Sequence, residues 1–82
     1  MGRHESLPLD LHHLLRLLDW VGGGLDVRAL VCRSGLPPDR LRIAIEEGAA
    51  LGRLRVWPRR PGRIGVPAEL GDIARVMLTR RR

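Results

Sequence analysis

The chain has 82 residues, of which 44% are apolar, so it can form one small domain with one modest core and is too apolar for a disordered tail. Its formal net charge is +6, and all fifteen basic residues are arginine. The excess of positive charge lies in residues 37–82, which indicates that this half of the chain faces a polyanion. A single cysteine excludes an internal disulfide, and no apolar run approaches the ~20 residues of a membrane span or resembles a signal peptide, so we expect a cytoplasmic protein.

The first predicted element is a helix from about Pro8 to Val21, because leucines recur at helical spacing along one face. The triple glycine at 22–24 ends it. A second apolar stripe lies on roughly the opposite face and includes Leu9, His13, Leu17 and Trp20. A helix that is apolar on two sides needs two partners, one of which is its own core.

Two more helices follow, separated by a tight turn. Asp26 is a plausible N-cap for a short helix, and Ser34-Gly35-Leu36 breaks it. Pro37 and Pro38 suit the start of a third helix, where a missing N–H costs little. Its predicted inner face consists of Leu41, Ala44, Ile45, Gly48 and Ala49, and it ends near Gly52.

After the third helix, the spacing of the apolar residues changes from helical to alternating. Leu54 and Val56 are expected to face inward on a strand, with arginines outward, and residues 58–62 form a turn. Residues 63–66 are the predicted returning strand of a β-hairpin. The chain ends in a predicted helix over about 68–80, whose apolar face contains Leu70, Ile73, Ala74, Met77 and Leu78.

The stretch LDVRALVCRSGLPPDRLRIAIEEGAALGRLRV, from Leu25 to Val56, resembles the winged helix-turn-helix family. The resemblance rests on Leu30, Gly35-Leu36 at the turn, Leu41 and Ala44 in the next helix, and Gly52-Arg53-Leu54 as the step into the wing. The chain departs from the family pattern at Val31, Ser34 and Gly48. The resemblance implies a mainly α fold in one domain over 1–82: a three-helix core with its helix-turn-helix at 26–52, a wing at 53–66 and a C-terminal helix.

The family resemblance implies a DNA-binding protein, and hence a small transcription regulator. In the family the third helix enters the major groove and the wing touches the DNA backbone. Carried over by position, the residues that contact nucleic acid would be Arg40, Arg42 and Ile43 on the helix, and Arg55, Arg59, Arg60 and Arg63 on the wing.

The residue types themselves favour the wing over the helix. The outward face of the third helix is acidic and apolar, which is poor chemistry for phosphate affinity, and Arg40 and Arg42 are as well suited to pairing with nearby acids. The chain has no Asn or Gln for the usual contact to adenine. Trp57 alternates onto the same face as Arg55, where base stacking is one role, but packing in a core or interface is the expected one.

Other functions stay open at this point. We expect homodimerisation through the first and last helices, with Leu9, Leu17, Trp20, Ile73 and Met77 at the interface. A protein-docking role for the third helix and RNA binding are the alternatives to DNA. The spacing of the histidines and Cys32 matches no zinc site or catalytic motif, so we expect no metal, no cofactor and no enzymatic activity.

Overall fold

The computed structural model describes residues 8–59 and 69–79, which form three helices and a three-stranded antiparallel sheet. The fold is therefore mixed α/β rather than mainly α with a hairpin. In chain order the elements are α1 (Leu9–Trp20), β1 (Gly24–Asp26), α2 (Val27–Ser34), α3 (Pro38–Ala50), β2 (Leu54–Pro58), a 3-10 turn (Leu70–Asp72) and β3 (Ile73–Leu78).

Helix α1 follows the predicted pattern. Pro8 is its N-cap residue, and its core-facing side is formed by the buried Leu11, Leu14 and Leu18. The helix ends because Gly22 and Gly23 adopt φ of 103° and 110°, a region that other residues rarely enter. The N–H of Gly23 donates to the carbonyl of Leu18 at 2.7 Å, which satisfies one of the last helical acceptors.

Helices α2 and α3 are joined by the predicted turn. The carboxylate of Asp26 accepts a 2.8 Å hydrogen bond from the N–H of Ala29, so Asp26 is the N-cap of α2. Gly35 follows α2 with φ of 71°, and α3 begins at Pro38. The predicted order and approximate bounds of the three helices are thus confirmed.

The predicted C-terminal helix over 68–80 is wrong, because Ile73–Leu78 forms strand β3. The strand lies in the middle of the sheet, in the order β1-β3-β2, and is antiparallel to both neighbours. Pairing on both edges satisfies its backbone groups, and this non-local gain overrides a local apolar spacing that also fits a helix. Strand β1, which the sequence analysis missed, pairs Leu25 with Val76. The predicted returning strand at 63–66 lies outside the described residues, and the strand that pairs with β2 is β3.

The core lies between the three helices and the inner face of the sheet. It consists of Leu11, Leu14, Leu18, Val27, Leu30, Leu41, Ala44, Ile45, Leu54, Ile73 and Val76. The predicted inner positions of α3 are buried except Ala49, which is half-buried. On β2, Leu54 is buried and Val56 is half-buried against the core, so the predicted alternation is confirmed.

Candidate functional site

The outward face of α3 carries its cations in ion pairs. The Arg40 guanidinium donates from Nε to Oδ2 of Asp10 at 2.9 Å and from Nη2 to Oδ1 at 2.6 Å, a two-bond contact between α3 and α1. These bonds lower the pKa of Asp10 and raise the pKa of Arg40, since each charge is stabilised by the other. Arg40 is therefore held toward the start of α1.

The second arginine of α3 is paired along its own helix. Arg42 donates from Nη1 to Oε1 of Glu46 at 3.3 Å, an i,i+4 contact. Ile43 lies between these arginines and Glu46 in sequence and is 46% exposed. Because Asp39 and Glu47 add two more carboxylates to this helix, it presents no net positive charge to a polyanion.

Strand β2 presents its arginines differently. Arg53 immediately before it, Arg55 within it and Arg59 immediately after it are all exposed. Within residues 8–59 and 69–79 none of the three forms an ion pair with a carboxylate. Arg59 is tied to the segment before β3, since its backbone N–H donates to the Asp72 carbonyl at 2.7 Å and its Nε to the Gly71 carbonyl at 3.0 Å. The predicted sites Arg60 and Arg63 lie outside the described residues.

The outer face of the sheet holds a cluster that the predicted site did not include. The Cζ of Arg55 lies 5.2 Å from the centroid of the Trp57 ring, a cation–π contact. Arg75 of β3 is the cross-strand neighbour of Trp57, and Met77 is the neighbour of Arg55. Trp57 is 40% exposed, so it is not a core residue.

The alternation of β2 did indicate that Trp57 shares a face with Arg55. Arg75 was missed because the apolar spacing of its segment predicted a helix, whereas the segment forms β3. No local signal would have found it, because Ile73 and Val76 on either side of it fit a helix as well as a strand, and only the pairing of β3 with β2 places it beside Trp57.

The predicted dimer residues fall into different environments. Leu9 and Trp20, at the two ends of α1, are 85% and 79% exposed. Leu17 is partly buried against the core. Ile73 was wrongly assigned to the interface, because it is fully buried in the core once β3 forms, and Met77 is half-buried on the outer face of the sheet.

His13, which belongs to the same stripe of α1, has a structural partner. Its Nε2–H donates to the carbonyl of Ser34 at 2.8 Å. Since Ser34 is the last residue of α2, this bond satisfies a carbonyl at a helix end, where intrahelical donors are missing.

In the part of the chain that the structure describes, no group of three or more His, Cys, Asp or Glu side chains is placed to hold a metal ion. No helix in that part has the length and apolar character needed to cross a bilayer. Comparison of the chain with protein-family models, with curated proteins and with solved structures finds no match.

Proposed function

We propose that this chain is a cytoplasmic winged helix-turn-helix protein that binds duplex DNA as a small transcription regulator, with its main phosphate contacts on strand β2 and the residues that follow it. The order of helices and strands is compatible with that architecture. The left-handed Gly35 between α2 and α3 and the left-handed Gly52 before β2 are consistent with the resemblance.

The proposed contacts are assigned to β2 because its arginines differ from those of α3 in their carboxylate partners. Arg40 and Arg42 already have carboxylate partners, so a phosphate would have to displace Asp10 or Glu46 to reach them. Arg55 and Arg59 are exposed and contact no carboxylate among residues 8–59 and 69–79. Phosphate contacts release counterions and supply most non-specific affinity, so the arginines without such partners are the better candidates.

The test is a salt titration of duplex binding with the variant Arg55→Ala/Arg59→Ala. We expect weaker binding and a salt slope that is shallower by about one for each phosphate that the variant no longer binds. Arg33→Ala is the control, because Arg33 is an exposed arginine on α2, outside both β2 and the proposed dimer face. A wild-type protein that binds no duplex at low salt, or binds it without salt dependence, contradicts the proposal.

A second function, protein docking through α3, is favoured by a specific observation. A groove of about 380 Å³ runs between the start of α1 and α3, and Leu9, Ile43 and Glu47 line it. Its rim combines exposed apolar side chains with a carboxylate, which suits a partner segment of apolar and basic residues. A stable protein partner that binds Arg59→Ala but does not bind Ile43→Glu supports this function over DNA binding.

The proposal includes a homodimer formed through α1. Leu9 and Trp20 are the two most exposed large apolar residues of the described chain, and their spacing along the helix places them on the same face. A second copy would cover both. Sedimentation analysis at rising concentration should show a dimer that Trp20→Glu dissociates, whereas a monomer at all concentrations contradicts this part of the proposal.

A further inference from the structure

We propose that the outer face of the sheet, formed by Arg55 and Trp57 of β2 and Arg75 and Met77 of β3, binds single-stranded nucleic acid. In this arrangement a base stacks on Trp57, and phosphates contact the two arginines. The inference rests on the proposed nucleic-acid-binding function, and it names an unpaired strand as the partner of this particular face.

The strand register brings these four side chains together. Arg55 lies opposite Met77, and Trp57 lies opposite Arg75, so the four form two adjacent cross-strand pairs on one face. Leu54 and Val76 alternate to the other face and pack in the core. The face is therefore held by a sheet whose reverse side is buried, which gives a rigid platform.

The charges around the ring match a phosphodiester strand. Arg55 stacks on the Trp57 ring, and the exposed Arg75 is the cross-strand neighbour of Trp57, so two cations share one face of the sheet with this exposed ring. Arg53 and Arg59 extend the positive charge beyond the two ends of β2. A positive track with an aromatic residue between its cations is the general pattern of single-strand binding, because every base has a π-face.

The carboxylates of Asp26 and Asp19 adjoin the face, but among residues 8–59 and 69–79 neither forms an ion pair with its arginines. Asp26 is the β1 neighbour of Arg75, but its carboxylate accepts the N–H of Ala29 as the cap of α2. Asp19 lines the same groove as Trp57, beside the two glycines that end α1. An acidic peptide would gain from the arginines and leave the ring unused, whereas a nucleotide uses both, the arginines through its phosphate and the ring through its base.

The space beside Trp57 is large enough for a nucleotide. A groove of about 540 Å³ is lined by Gly22, Gly23, Arg55, Trp57, Met77 and Thr79, which lies in the range of known small-ligand clefts, ~300–1,000 Å³. The Met77 side chain lies over Gly24 of β1, since a Cβ added at Gly24 would stand 2.7 Å from the Met77 Cγ. The absence of a side chain at Gly24 thus leaves room for this lining residue of the groove.

The experiment uses Trp57 as its own probe. In a Trp20→Phe background, fluorescence of the remaining tryptophan is followed during titration with a thymidine oligonucleotide of about eight residues, short enough to occupy one face. A uridine oligonucleotide and a duplex of equal length are titrated in parallel. We expect both single strands to quench the fluorescence of Trp57. The oligonucleotide that binds more tightly identifies DNA or RNA as the natural partner.

Affinities of unlabelled variants for fluorescein-labelled strands complete the test. Trp57→Ala should weaken single-strand binding roughly tenfold, the loss of one base–aromatic stack, and Trp57→Phe should restore most of it. Leu51→Ala is the control, because Leu51 is an exposed apolar residue at the end of α3, outside both the proposed face and the proposed dimer contact, and should leave the affinity unchanged. Circular dichroism confirms that each variant is folded.

The outcomes separate this inference from the proposed function. Duplex binding with a normal salt slope, together with single-strand affinity that is insensitive to Trp57→Ala, overturns the inference and leaves the proposed function standing. Single-strand binding that depends on Trp57, without any duplex binding, supports the inference and overturns the duplex proposal. If neither nucleic acid binds, both are wrong.

Discussion

Leu54 of β2 packs directly on Gly48 of α3, so closely that a Cβ added to Gly48 would lie 2.7 Å from the Leu54 Cγ. The same Cβ would stand 3.0 Å from Cδ1 of Leu11 in α1. Gly48 is thus a point where a helix, a strand and a second helix approach each other tightly. The absence of a side chain there sets the distance between α3 and the strand that carries Arg55 and Trp57.

Gly48→Ala is therefore expected to destabilise the fold. Alanine usually improves a helix by up to about 1 kcal/mol over glycine, but overpacking a core costs about 1–3 kcal/mol, and the contacts at Gly48 make the second effect dominate. Urea unfolding measures the difference. Gly71→Ala is the control, since nothing lies within 4 Å of its added Cβ. Equal or higher stability of Gly48→Ala would show that Leu54 moves aside freely.

The Asp10–Arg40 ion pair predicts a pH-dependent stability. Arg40 lowers the pKa of Asp10 below its ordinary value of 3.8, so the carboxylate stabilises the folded state above that pH, and this contribution disappears as pH falls through the folded pKa. Asp10→Asn should lower the melting temperature at pH 7. The gap to wild type should narrow below pH 3.8 and then close. In an Arg40→Gln background Asp10→Asn should have little further effect, and an unchanged gap there would refute the pairing.

Removing the N-cap of α2 should destabilise the protein by about 1 kcal/mol. Asp26→Ala leaves the N–H of Ala29 without its acceptor, which lies at 2.8 Å. Asp26→Asn keeps a capping oxygen and should retain most of the stability. The comparison is made by thermal or urea unfolding, and equal losses in both variants would show that the charge of Asp26 matters instead of its cap.

The assignment of Ile73 to a core strand can be tested by truncation. Ile73→Ala should cost about 2–4 kcal/mol, because it removes fully buried methyl groups and leaves a cavity. Arg28→Ala, at an exposed position on α2, should change the unfolding free energy by less than about 0.5 kcal/mol. An Ile73→Ala protein as stable as wild type would contradict the position of this residue in the core.

Local patterns were sufficient for the elements that have strong local signals. The leucine spacing of α1, the capping Asp26 and the prolines before α3 each determine a helix through contacts within a few residues. The alternation at Leu54 and Val56 likewise predicted β2. The strand β1 has three residues, too few for any period to show.

Strand β3 was missed for a different reason. Leu70, Ile73, Ala74, Met77 and Leu78 fit a helix as well as a strand, and only pairing with residues that lie far away in the sequence decides between them. As a result, Ile73 was predicted at a dimer interface, and the position of Arg75 beside Trp57 was not predicted.

The ion pairs show the same division between local and distant contacts. Arg42 and Glu46 are four residues apart on one helix, so their contact follows from helical spacing. Arg40 and Asp10 are thirty residues apart, and their contact depends on how α1 and α3 pack. The nearby acids indicate pairing for both arginines, but only the packing of α1 against α3 identifies Asp10 as the partner of Arg40.

The central position of β3 has a consequence for how the protein is made. Strands β1 and β2 do not hydrogen-bond to each other, and each is completed by the last strand of the described chain. During synthesis the three helices can collapse early, yet the edges of β1 and β2 that pair with β3 stay open until Ile73–Leu78 has left the ribosome. The nascent chain is thus most exposed to aggregation just before β3 emerges, and a product terminated upstream of β3 offers two open edges to degradation.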